Sequence, residues 1–238
     1  MSERHPVGRL WDQLTSTQPV PDVRWVLAAG VVALVLVAHH RTWPWIRLAV
    51  TVVHEAGHAL VAVLVGRRLA GIKVHSDTSG VTVSRGRPTG PGMVVMLLAG
   101  YLAPAVLGLV AALLLTHGHA LALLWLLLAV LAGVLVWVRN GYGLLTVLVL
   151  GAALAVATRY ASASTQAVIA TTVAWVLLLA APRPLVDLLR RPKAQRRGSD
   201  PDQLARLTRV PTLGWILLLL AANLAGLIVG GATLVPRL

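Results

Sequence analysis

Seven apolar runs, separated by short polar breaks, leave this chain little choice of fold. They are approximately Val23–Ala38, Trp45–Val65, Pro91–Thr116, His119–Val138, Gly141–Thr158, Thr165–Pro182 and Thr212–Ala232. A helix needs about 20 apolar residues to cross a bilayer, with roughly 17 as a lower limit. Inside lipid the backbone must satisfy its own hydrogen bonds, so an open sheet edge cannot face the hydrocarbon. The runs predict an all-α polytopic membrane protein with about seven transmembrane helices. Composition agrees: 57% of the residues are hydrophobic and 12% are charged, against about a quarter charged in a soluble domain. The first and fifth runs are the shortest, and only Arg139 and Asn140 separate the fourth from the fifth, which requires a tight turn there.

The charges suggest an orientation. With a polar tail (1–22) in the cytoplasm, all but Arg41, Arg47, Arg159 and Arg237 of the 21 basic residues fall on the cytoplasmic side. This is the positive-inside pattern, and it implies an outside C-terminus. The net charge of +13 is then explained by loops facing anionic lipid, and no nucleic-acid partner is expected. The tail lacks the layout of a cleaved signal peptide. Residues 23–238 read as one membrane-embedded domain in a bacterial plasma membrane, with a basic cytoplasmic loop over 183–209 whose first part, 183–198, is expected to be mobile. Cysteine is absent, which excludes disulfides, thiolate metal sites and a Cys nucleophile.

Two segments break the apolar pattern. Residues 71–86 alternate apolar and polar around Ser76-Asp77-Thr78-Ser79-Gly80, which predicts a β-hairpin after the second helix. Within the second run lies His54-Glu55-Ala56-Gly57-His58. Two histidines four apart share one helix face, so both imidazoles can reach one zinc ion while Glu55 serves as general base. Charged and imidazole side chains are expensive within hydrocarbon and mark a functional site. A catalytic zinc usually takes a third protein ligand. No Glu follows Glu55, which leaves His75, Asp77, His117, His119, Asp187, Asp200 and Asp202. The two outer histidines fall on the wrong side. Asp187 could lie on a solvated helix end among arginines. Asp200 could cap a helix, with Pro201 and Gln203 completing a capping arrangement.

The strings TVVHEAGHALVAVLVGRRLAGIKV, LLAGYLAPAVLG, VRNGYGLLTVL and SDPDQLARLTRVPTLGW, over about Trp43 to Trp215, resemble the site-2 protease family of intramembrane zinc metalloproteases, in its compact bacterial branch. The resemblance implies His54 and His58 as zinc ligands and Glu55 as base. The family's third ligand is an Asp after a proline-containing string and before Gly. Asp187 fits the first part, but Leu188 stands where the Gly would be. The Ser-Asp string of the closer branch favours Asp200, with Asp187 and Asp202 as alternatives. A zinc-dependent endopeptidase acting on a transmembrane protein substrate is therefore expected. The rivals are a non-catalytic zinc-binding membrane protein and a metal or proton transporter. Gly100, Tyr101, Pro104 and Gly108 read as helix-packing residues, and Asn140 as a turn cap.

Overall fold

The computed structural model describes residues 6–235, except the side chains of residues 6, 7, 9 and 10; Arg4 and Arg237 lie outside this range. The chain forms α1 (Pro6–Thr15), α2 (Val23–Ala38), α3 (Trp43–Leu64), a hairpin of β1 (Arg68–Val74) and β2 (Gly80–Arg85), then α4 (Pro91–Thr116) and α5 (Ala120–Trp137). After these come α6 (Gly141–Tyr160), α7 (Ala163–Ala180), α8 (Arg183–Arg190), α9 (Asp200–Leu207) and α10 (Thr212–Leu234). All seven apolar runs are helical. By length and composition, α3, α4, α5, α6, α7 continued through α8, and α10 can each cross a membrane. The ends carry local signals. Ser162 accepts a hydrogen bond from the Thr165 N–H at the start of α7, and Gly66, at φ +76°, turns the chain from α3 into β1.

Two polar segments contain helices. The tail contains α1, and the basic segment contains α8, within the part expected to be mobile, and α9. Leu185, Leu188 and Leu204 explain the second case: all three are buried, in a cluster with Leu97, Ile216 and Leu219. That burial fixes helices of only eight residues, too short to be stable alone.

Helix α4 lies at the centre, against α3, α7 and α10, and small residues bring the axes close. Gly57 faces Ala99 and Ala103, Gly226 faces Ala105, and Gly108 and Gly230 both receive Leu178.

The contacts of α2 set the direction in which it runs. Gly30 packs on Trp175, whose indole N–H donates to the Val26 carbonyl at 3.1 Å, and Val37 clusters with Ala180. α2 therefore runs parallel to α7. Just before it, the Gln18 N–H donates to the Gly118 carbonyl (2.7 Å) and Gln18 Oε1 accepts from the Leu121 N–H (2.7 Å). The segment leading into α2 thus shares a face with the α4–α5 turn rather than lying opposite it. Leu234, at the end of α10, packs with Ala120 and Leu123 at that same turn. Both ends of the described chain consequently lie on one face. At 16 residues α2 spans about 24 Å. α2 ends beside Ala180, where Trp43 stacks under Arg183 (4.1 Å), and α3 completes the descent.

β1 and β2 pair antiparallel, with Val74 opposite Gly80 and Ile72 opposite Thr82. The outer edge of β1 is covered. The Arg139 N–H donates to the Ile72 carbonyl (2.8 Å). Asn140 clasps Val74, accepting from its N–H (3.1 Å) and donating to its carbonyl (2.6 Å). Asn140 therefore ties the hairpin to the α5–α6 turn instead of capping α6. Because Ile72 and Val74 spend their backbone groups outward, their partners Thr82 and Gly80 turn theirs toward the far edge of β2. That edge faces a cavity.

Candidate metal centre

On α3, His54 and His58 stand one turn apart, and their Nε2 atoms approach to 3.0 Å. Asp200 Oδ2 lies 3.1 Å from each. The closeness of α4 makes room for the rings: a Cβ at Gly100 would overlap the His58 imidazole and come within 2.7 Å of His54 Nε2. Gly100 is thus more than a packing residue, since its missing side chain is the space the imidazoles occupy. Tyr101 sets its ring edge-to-face with His54, centroids 4.8 Å apart.

The donor chemistry fits a cation. His58 Nδ1 lies 2.7 Å from the Met96 carbonyl, which can only accept, so Nδ1 carries the proton. A neutral His58 then points the lone pair of Nε2 at the other two atoms. His58 Nε2, His54 Nε2 and Asp200 Oδ2 converge at hydrogen-bonding distance, a set of atoms that could hold a divalent ion. These residues would hold such an ion, since ligand bonds of about 2.0–2.1 Å let atoms this close share one cation. The Met96 carbonyl is the outer partner that fixes a ligating imidazole's tautomer.

Asp200 opens α9. Ser199 is the N-cap residue, without a side-chain capping bond, so the Asp200 carboxylate is free to turn to the histidines. Asp202 has another use. It accepts from the Gly198 N–H (2.9 Å) and from Arg206 (2.6 Å), and these bonds lower its pKa. Among the described residues, only His54, His58 and Asp200 form such a metal-competent group. Asp187 lies on α8 outside it, Asp77 accepts from the Ser79 backbone and hydroxyl, and the His117 ring bonds the Leu113 carbonyl.

Glu55 is 3% exposed. The Thr82 hydroxyl donates to its Oε2 at 2.5 Å, and a Cβ at Gly80 would overlap its carboxylate. β2 therefore holds Glu55 through one hydroxyl and one missing side chain. The alternation of β2 puts Gly80, Thr82 and Ser84 on one face, but nothing local indicates that this face meets Glu55. The site opens into a cavity of about 540 Å³ between α3, β2 and the 198–203 segment.

Gly100→Ala is expected to lower metal affinity at least tenfold, because the new methyl must displace an imidazole or part α3 from α4. Metal titration of the purified variant checks this, and unchanged affinity would exclude the close-approach argument.

A model of the family described as Peptidase M50B-like matches residues 27–230. No curated protein and no solved structure matches the chain.

Proposed function

The chain belongs to the Peptidase M50B-like family, and from that premise we propose that it is a zinc-dependent intramembrane endopeptidase. Its substrate is a membrane-spanning protein, cut within or near the bilayer. The observation that carries this reading is the convergence of His54, His58 and Asp200 at 3.0–3.1 Å beside buried Glu55.

Bound zinc would polarise the scissile carbonyl and bring the pKa of its water toward about 7. His54, His58 and Asp200 would hold that ion, and the Met96 carbonyl keeps His58 Nε2 bare for it. Glu55 accepts the proton of the attacking water and passes it to the leaving amine. Thr82 fixes the carboxylate during both transfers. Buried Glu55 lies in a poorly hydrated setting, where a positioned base acts with little reorganisation.

A helical substrate hides its peptide bonds in its own hydrogen bonds, so it must unwind to be cut. The free edge of β2 offers replacement partners: the backbone groups of Gly80 and Thr82 face the cavity that holds Glu55. An unwound segment adds there as a third strand. The face bearing the hairpin and the 183–209 segment is the cytoplasmic one, since both carry most of the arginines.

The reading is tested with purified protein in lipid vesicles, given transmembrane reporters. Cleavage should stop on chelation and return with one equivalent of zinc per chain. One bound equivalent with no cleavage of any reporter would instead support a non-catalytic zinc protein.

A further inference from the structure

Arg47 is the seventh residue before His54, two turns back along α3, so the two share a face about 10 Å apart. It lines the same cavity as the histidines, beside Thr78, Ser79, Pro184 and Gly198. A guanidinium on a helix of membrane-spanning length is costly unless paired. Yet among the described residues Arg47 takes part in no ion pair and no hydrogen bond. Asp77 is close enough to feel its charge, but that carboxylate already accepts from Ser79. Arg183 repels it. Arg183 is itself incompletely satisfied, stacked on Trp43 with Nη1 buried and without a partner. At the opposite end of the cavity Arg67 is satisfied, donating to Ser84 Oγ (2.9 Å) and the Arg87 carbonyl (2.5 Å). One end of the cleft thus holds a guanidinium without a hydrogen-bond or ion-pair partner among the described residues, and the carboxylate close to it, Asp77, is engaged by Ser79. A carboxylate is the group such donors bind best.

We propose that Arg47 is an anion-binding residue of the substrate cleft, selecting substrates that carry an acidic side chain about three residues from the scissile bond. The spacing follows from about 10 Å along α3 and about 3.3 Å per extended residue. The proposal rests on the peptidase reading above. A lipid phosphate offers related chemistry, but Arg47 shares its cavity with Glu55 and the histidines, which favours the substrate as the source.

The test uses reporters with a single Asp, or Asn in its place, scanned two to five residues either side of the scissile bond. They are cleaved by wild-type protein and by Arg47→Gln, in vesicles of phosphatidylcholine alone or with phosphatidylglycerol. Asp near the third residue should raise kcat/KM about 10- to 100-fold over Asn. In Arg47→Gln that ratio should fall to about one in both lipids, with metal content per chain unchanged. Equal wild-type values for Asp and Asn at every position overturn the proposal, whether or not the variant folds. An Arg47 effect that follows lipid charge and ignores the reporter's residue also overturns it. The same ratio is read as binding affinity in Glu55→Gln, with and without Arg47→Gln. If wild-type protein cuts nothing, the peptidase reading fails, while this binding ratio still decides for or against the anion site.

Discussion

Glu55→Gln should abolish measurable hydrolysis while leaving one metal equivalent bound. The substitution keeps the shape of the side chain, and the amide oxygen can still accept from the Thr82 hydroxyl, which lies 2.5 Å from Oε2. His54, His58 and Asp200 are untouched, so the triangle of acceptor atoms stays intact. What disappears is the ability to take a proton from water. Positioned general bases contribute about 10²–10⁴-fold, and here the same group also returns the proton to the leaving amine, so the upper end is expected. The measurement pairs a reporter-cleavage rate with metal content per chain on one preparation. Cleavage at the wild-type rate would remove Glu55 from the mechanism. Loss of metal together with activity would mean that Glu55 supports the site rather than the chemistry.

Asp200→Ala should empty the site. It removes one of three converging donors and leaves two imidazoles whose Nε2 atoms face each other at 3.0 Å. Loss of outer-shell partners alone costs about 10–100-fold in metal affinity; loss of a direct ligand costs more, and bound zinc should drop from one equivalent to below about a tenth. Asp187→Ala should retain the metal, because Asp187 lies on α8 outside the converging group. Asp202→Ala should retain it too, though it gives up the bonds to Gly198 and Arg206 that brace the start of α9. Metal analysis of the three variants side by side is decisive. A filled site in Asp200→Ala with an empty one in Asp187→Ala would reverse the assignment.

Much of this molecule is written in local sequence. Apolar runs of membrane length become helices because lipid leaves the backbone no other way to satisfy its hydrogen bonds. The i, i+4 spacing of His54 and His58 puts both rings on one face because an α-helix has 3.6 residues per turn. Alternation around a polar turn sufficed for the hairpin, since its period is also local. The part of the basic segment expected to be mobile is helical for the opposite reason. Helices α8 and α9 have too few residues to be stable alone, and it is Leu185, Leu188 and Leu204, buried against distant partners, that hold them.

Which acidic residue meets the histidines is a different kind of fact. Asp187, Asp200 and Asp202 look alike in sequence, each near the start or end of a short helix and flanked by arginines. Only the fold brings Asp200 across 142 residues of separation to His58, and only the fold reveals that Thr82 holds Glu55 and that Arg47 makes no ion pair among the described residues. The side to which α2 belongs was likewise decided by packing against α7. Sequence determined the helices, the hairpin and the paired imidazoles, because each follows from a repeat of a few residues. Tertiary structure chose the third acceptor, the partner of the base and the path of α2, because those depend on where separate helices meet, and no short-range period encodes that.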